Sequence, residues 1–502
     1  MTPDLILAID QGTTNTKALL VDVAGRVVAS ASVRVPVTFP HPGWVESDGV
    51  ELWHTVEGAI DVCLAGVDTA RLAAVAVANQ RESVLAWERA TGRPLGPVVS
   101  WQCRRSTEVC EVIRAGGHEE LVRSRTGLTL DPMFSASKAR WLLDHIEHGD
   151  RRAEHGELCI GTMDSWLAWN LSGGAAFVTD ATNASRTLLL DLDRLAWDPD
   201  LLLLFRIPEV ALPTVRGSSA VVGTTRRLGL LPADVPIAAL IGDSHAALVG
   251  HGVPGPGSVK ATFGTGTSVM APLAAPVRHP QLSATVAWST EPTDQPGTIE
   301  AVHALEGNIT ATGAAIAWVA AIVGLEGREQ DLAALAASVP DAGGVYLVPA
   351  FTGLGAPHWD AGARGLMCGL SRGTTRAHLA RAAFDAIAYQ VRDVLEVLAP
   401  AAGSPLSALY ADGGAMESEL LAQTTADVIG LPVLRNRVES LAAVGAACLA
   451  GLAVGTWGSL DEVRSLERTF DRVRPRSEAP AATEGYAGWH VALRRAASEV
   501  AG

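Results

Sequence analysis

The sequence predicts an α/β fold arranged as two lobes around a central cleft, on three observations. At 502 residues the chain exceeds what one ordinary hydrophobic core supports. Strand-like and helix-like apolar periods alternate along it, the pattern of layered α/β units. Each half also opens on a Gly/Thr-rich reversal between apolar strands: Gln11-Gly12-Thr13-Thr14-Asn15 and Phe263-Gly264-Thr265-Gly266-Thr267-Ser268.

In chain order, the apolar pattern predicts strands near 5–10, 17–23 and 26–35, a helix near 49–64, a strand at 72–79 and helices near 106–115 and 136–147. The second half restarts with a strand at 235–241 that ends in Gly242-Asp243, then a strand, a reversal and a strand in SVKATFGTGTSVMA. A helix near 308–323, a strand at 344–349, a long helix at 376–399, a strand at 406–411 and helices near 416–429 and 440–452 follow. The Gly/Pro-rich run GHGVPGPGS, 250–258, marks the boundary between lobes 1–250 and 251–502. Tyr486, Trp489, Leu493 and Val500 on one helical face predict a tail helix docked on the second lobe. The longest apolar stretch, Ala311 to Leu325, is shorter than the roughly 20 residues of a membrane span and reads as a buried core helix.

Composition narrows the function. A net charge of −15 argues against nucleic acid or an anionic membrane as partner. Six scattered cysteines without a C-x-x-C pair signal neither a disulfide framework nor a zinc site. No basic lead or cleavage site surrounds the apolar run Leu5 to Ile9, so a cytoplasmic location is expected. Only three lysines, Lys17, Lys138 and Lys260, stand against 36 arginines, which marks each of them for attention.

The chemistry concentrates at the reversals. Glycine permits the tight turn, and small hydroxyl residues surround it with N–H and O–H donors that suit phosphate oxygens. Asp10, at the end of the first strand, faces the same concavity and is placed to hold a hydrated magnesium ion. Two such loops could grip one polyphosphate from opposite sides. Neither a G-x-x-x-x-G-K-[ST] loop nor a strand-linked G-x-G-x-x-G offers another explanation. Tyr410 to Ser418, YADGGAMES, is a third glycine turn, suited to packing against adenine or its ribose.

DQGTT, ANQRESVLAW, VVSWQCRRS, TGLTLDPMFSASKARWLLDH, TDATNASRTLL, IGDSHAAL, FGTGT, VPAFTGLGAPHWD and DGGAMES, in order from about residue 5 to 455, resemble the FGGY carbohydrate kinases, and among these the glycerol kinases. The resemblance implies two actin-like, ribonuclease-H-like lobes with ATP and substrate meeting in the cleft. It implies Asp243 as the general base, Arg81 and Glu82 as holders of substrate hydroxyls and Trp101 as an apolar wall. Thr13, Thr14, Asn15, Lys17, Thr265, Gly266, Gly313 and Gly414 match nucleotide-contacting positions, while Ala317 and Ser418 replace family amides there. Lys17 stands where arginine is usual, a cation without the bidentate fork.

The substrate pocket departs from the glycerol kinases in a cluster: Met133 for tyrosine, Ser244 and His245 for two glutamines, and Ser268 for phenylalanine. A wetter, larger pocket is expected, and with it a polyol or ketose of four or five carbons in preference to glycerol. ATP and Mg2+ are the expected cofactors and a homo-oligomer, dimer or tetramer, the expected assembly. The alternative is an actin-like or Hsp70-like ATP switch that transfers no phosphoryl group to a small molecule.

Overall fold

The structure, a computed structural model, describes residues 3–252, 255, 257–292, 295, 297–476 and 480–498. Among these, thirteen strands form one sheet. They are β1 (Leu5–Gln11), β2 (Asn15–Asp22), β3 (Val27–Arg34), β4 (Leu72–Asn79), β5 (Ser219–Thr224), β6 (Pro236–Gly242) and β7 (Ser258–Phe263), then β8 (Thr267–Leu273), β9 (Ser283–Thr290), β10 (Glu300–Ile309), β11 (Ala408–Asp412), β12 (Val433–Asn436) and β13 (Phe470–Val473). Their spatial order is β13-β12-β11-β7-β8-β10-β9-β5-β6-β4-β1-β2-β3.

The two halves repeat one topology. β1, β2 and β3 form an antiparallel meander, and β4 and β6 extend it in parallel from β1. β7, β8 and β10 do the same, with β11 and β12 parallel beyond β7. A single bridge, Ser219 to Thr290, joins β5 to β9 across the middle of the sheet.

Strand β1 is apolar on both faces because both are covered, as parallel pairing requires. Leu5, Leu7 and Ile9 pack with Trp53, Val56 and Ile60 of α1 (Gly49–Leu64). Ile6 and Ala8 face a cluster from α2 (Asp243–Gly250) and the helix Leu441–Ala453. That last helix belongs to the second half of the chain yet packs on first-half strands. Gly445 allows it: a Cβ there would lie 1.8 Å from the Ala246 carbonyl oxygen of α2.

One predicted helix begins later than its pattern suggested. Residues 308 and 309 close strand β10, and α3 runs Gly313–Ile322. Thr312 and Gly313 donate their N–H groups to the Thr265 and Gly264 carbonyls (2.9 and 3.0 Å), which ties the helix start to the second reversal. The helix is not wholly buried either: Ala317, Trp318, Ala321 and Ile322 are exposed, so its all-apolar composition misled. The long helix α4 spans Arg376–Ala402, and α5 spans Glu419–Ile429.

The tail helix, Pro480–Ala496, docks on the second half through Tyr486 O–H and Trp489 Nε1–H, which donate to Asp393 of α4 at 2.7 and 2.8 Å. Val500, and residues 253, 254 and 256 of the Gly/Pro-rich boundary, lie outside the described residues. Among the described residues no helix is long and apolar enough to cross a membrane.

Candidate active site

The ends of β1, β4, β6, β7 and β11 point toward one cavity of about 350 Å³. Open α/β sheets place ligands at such carboxyl ends of strands. The cavity brings together Asp10, Thr13, Thr14, Lys17, Arg81, Glu82, Trp101, Met133, Asp243, Ser244, Thr265, Gly266, Ser268 and Gly414. A neighbouring cavity of about 920 Å³ shares Gly264, Thr265 and Gly414 with it and adds Gly313, Ala317 and Ser418. Asn15 lines neither. Its carbonyl accepts from Gly12 N–H at 2.9 Å and closes the first turn.

Asp243 is the first residue of α2, immediately after β6. The strand end is fixed by Gly242 N–H, which donates to Thr182 Oγ1 at 2.9 Å. Thr182 is in turn held by Asp180, a buried carboxylate that accepts from Thr182, Asn183 and Ser218. The Asp243 carboxylate accepts from the neighbouring Ser244 N–H (2.6 Å) in the first turn of the helix and still leaves 38% of its side chain open to the cavity. Burial pushes its carboxyl above the ordinary aspartate value, against the opposing pull of the Arg81 guanidinium, whose Nε lies 3.3 Å away. A carboxylate made more basic and aimed into a cleft suits proton abstraction.

Beside it lies a buried cluster of two arginines and two glutamates. Arg81 Nη1 donates to both oxygens of Glu306 (2.7 and 2.9 Å), and Arg186 Nη1 lies 2.7 Å from the same carboxylate. Arg186 Nε donates to Glu82 Oε1 at 2.6 Å, and its Nη2 reaches Asn308 Oδ1 at 3.0 Å. Burial would raise the Glu306 carboxyl, but Arg186 and Arg81 overcome it and hold the group far below the usual range. Glu82 adopts φ of 62°, a left-handed backbone that costs a non-glycine residue about 1 kcal/mol or more. Arg186 on its side chain and Ser135 on its carbonyl (3.0 Å) pin it there.

Trp101 donates from Nε1 to Thr13 Oγ1 at 2.9 Å, which joins the aromatic wall to the first reversal. In the second reversal Gly264 N–H donates to the Gly266 carbonyl at 2.9 Å. Gly413, in the third, has φ of 97°, and a Cβ on it would fall 2.4 Å from the Phe263 carbonyl oxygen. Only glycine lets that turn press against β7.

Asp10 accepts from Ser440 Oγ at 2.7 Å. Burial pushes its carboxyl up to about 6; Asp243 and Asp412 add to the effect while Ser440 and Lys17 oppose it. Negative charge thus accumulates around one concavity, which fits a divalent cation. Among the described residues no group of three His, Cys, Asp or Glu side chains forms a metal cage. A mostly hydrated ion such as Mg2+, which takes one or two carboxylates and keeps several waters, would fit Asp10 on this cavity.

Sequence reasoning did not assign Glu306, Arg186, Asn308, Lys260 or Lys138. Lys138 is buried and donates to the carbonyls of Pro132, Met133 and Phe134, which fixes the loop carrying Met133. With Lys17 on the cavity and Lys260 beneath Ser244, all three lysines of the chain meet at this site, so their rarity was the available signal. Glu306 and Asn308 share one face of β10, a strand hidden in AVHALEGNI.

Residues 5–250 match the N-terminal domain, and residues 259–454 the C-terminal domain, of the FGGY family of carbohydrate kinases. The chain is 46% identical over 497 residues to a glycerol kinase of Stenotrophomonas maltophilia (strain R551-3), covering 98% of each chain. It is equally, 46%, identical over 495 residues to an apulose kinase of Pectobacterium atrosepticum, again over 98% of each. Among solved structures it resembles Plasmodium falciparum glycerol kinase with ADP (TM-score 0.88, 28% identity, 99% of each chain). It also resembles a xylulose kinase from Rhodospirillum rubrum (TM-score 0.82, 26% identity, 98% of each). The two-lobed actin-like architecture is that of these neighbours.

Proposed function

Because the chain belongs to the FGGY family of carbohydrate kinases and is an ATP-dependent kinase of a small polyol or sugar hydroxyl, we propose that its acceptor has four or five carbons. Glycerol is a secondary substrate in this reading. The observation that carries it is the floor of the cavity beside Asp243, where Ser268 and Ser244 join their hydroxyls at 2.6 Å in place of a phenylalanine and a glutamine. Two hydroxyls there leave room and polarity that a three-carbon chain does not use. One relative of equal identity is named for apulose, a name whose ending denotes a ketose.

Asp243 takes the proton of the attacking hydroxyl as its oxygen bonds to the γ-phosphorus and the bond from phosphorus to the β-bridging oxygen breaks, leaving ADP. Arg81 and Glu82 hold neighbouring hydroxyls, one donating and one accepting, and Trp101 and Met133 flank the carbon chain. Thr13, Thr14, Lys17, Thr265 and Gly266 bind phosphates, Asn15 closes the first turn beneath them, and Gly313, Ala317, Gly414 and Ser418 border the nucleoside. Asp10 would hold Mg2+, which would neutralise charge on the phosphates. Closure of the two lobes over the acceptor excludes water, a competing nucleophile. Assembly as a cytoplasmic dimer or tetramer rests on the family resemblance.

Comparison of kcat/KM for glycerol, erythritol, erythrulose and xylulose tests the acceptor. One of the longer acceptors is expected to lead, and a clear preference for glycerol refutes the proposal. Ser268→Phe is expected to move selectivity toward glycerol by roughly tenfold, the scale of refilling an apolar pocket. Gly413→Ala is expected to raise the KM for ATP several-fold while the acceptor KM changes little, measured by ADP release at varied ATP. ATP turnover unaffected by any polyol would instead favour the conformational switch.

A further inference from the structure

Beside Asp243 four side chains, two of them on the cavity and two buried behind it, are joined by hydrogen bonds that all run one way. Lys260 Nζ donates to the carbonyl and the hydroxyl of Ser244 at 2.8 and 2.6 Å. Ser244 Oγ donates to Ser268 Oγ at 2.6 Å, and Ser268 Oγ donates to Glu306 Oε1.

The direction is forced from the far end. Glu306, held between Arg81 and Arg186, is an anion and can only accept. Ser268 must therefore give it a proton, and can only receive from Ser244. Burial pulls the Lys260 amine down to about 8, yet with or without its extra proton it still has N–H to donate. A hydroxyl has one proton and two lone pairs. Each serine has committed its proton and one lone pair within the chain, so each retains a single lone pair and no donor. Both residues border the cavity that Asp243 faces.

We propose that the Ser244–Ser268 wall is an acceptor-only surface that selects a substrate presenting a hydroxyl donor there and rejects one presenting a carbonyl, carboxylate or ether oxygen. This rests on the reading that a polyol or ketose occupies the cavity, and it narrows that reading. In a ketose, a hydroxyl-bearing carbon and not the carbonyl faces the two serines. An acceptor oxygen placed there would meet lone pairs, a repulsive contact that neither serine proton can turn to relieve, because Glu306 holds the chain in place. The same carboxylate fixes Arg81, so the hydroxyl-holding guanidinium and the selective wall are set by one residue.

The test is a fluorine scan, since fluorine approximates a hydroxyl in size but cannot donate. Whichever of glycerol, erythritol and xylitol the enzyme uses best supplies the series, with each hydroxyl other than the transferred one replaced in turn. A preference for glycerol thus defeats the chain-length reading without touching this one. In the native enzyme, fluorine at one carbon is expected to lower kcat/KM by roughly tenfold or more. In Ser268→Ala the Ser244 proton loses its acceptor and turns toward the substrate, so the penalty at that carbon is expected to fall below about threefold. Ser268→Thr, which keeps the hydroxyl, is expected to restore it. Tolerance of fluorine at every carbon by the native enzyme overturns the proposal, as does a full penalty in Ser268→Ala.

Discussion

Replacement of Asp243 by asparagine is expected to lower kcat for phosphoryl transfer by at least roughly a hundredfold while ATP affinity stays near that of the native enzyme. The asparagine oxygen can still accept from Ser244 N–H, so the start of α2 and the end of β6 keep their geometry. What is lost is the capacity to take a proton. An alcohol is a poor nucleophile at neutral pH, and the other described carboxylates on the cavity are engaged elsewhere: Asp10 accepts from Ser440, Glu82 from Arg186, Asp412 pairs with His251 and Glu439 accepts from Ser30. The native enzyme should also show an acid limb in its pH profile above the ordinary aspartate value, because burial raises the Asp243 carboxyl. Residual activity in the variant should lack that limb. ADP-release kinetics and nucleotide titration measure the two quantities, and retained turnover would move the base elsewhere.

Glu306→Gln carries the largest expected loss of stability, about 3–5 kcal/mol, the scale for breaking a buried ion pair by removing one partner. The amide leaves Arg81 and Arg186 facing one another with only Glu82 and Asp243 to balance them. Urea unfolding at pH 7 measures the loss. The pH dependence gives a second reading. The Glu306 carboxyl is depressed in the folded protein, so its contribution is complete above its unfolded value, near 4.5, and fades as pH falls toward the folded value. The gap between native and variant stability should therefore narrow below about pH 4.5. An unchanged gap across that range would show that the carboxylate is not the anion the arginines require.

Several parts of this site were legible in the residues alone. Asp10 near the end of one apolar strand and Asp243 immediately after another each precede a turn or begin a helix, a pattern that local propensity fixes. The reversals at 11–15 and 263–268 announce themselves by glycine among small hydroxyl residues. Met133, Ser244 and Ser268 were visible as departures from a resembled pattern; His245, read the same way, does not line the cavity and is buried against Thr285 instead. Glu306 was not, because AVHALEGNI and the apolar run after it hold both strand and helix periods, and the helix was predicted to begin at 308. Trp318 and Ile322 were misjudged for a related reason: apolar character in a short helix does not say which side is covered.

The sequence by itself determined the α/β class, the reversals, the acids at strand ends and the FGGY resemblance, because each depends on residues within a few positions of one another. Tertiary structure alone decided that Arg81 meets Glu306 across 225 positions, that the helix Leu441–Ala453 covers strands of the first half, and that Glu306 sets the direction of the Ser244 and Ser268 hydroxyls. Pairing in a buried, weakly screening interior depends on which groups the fold brings to contact distance, and a linear pattern carries no term for that distance.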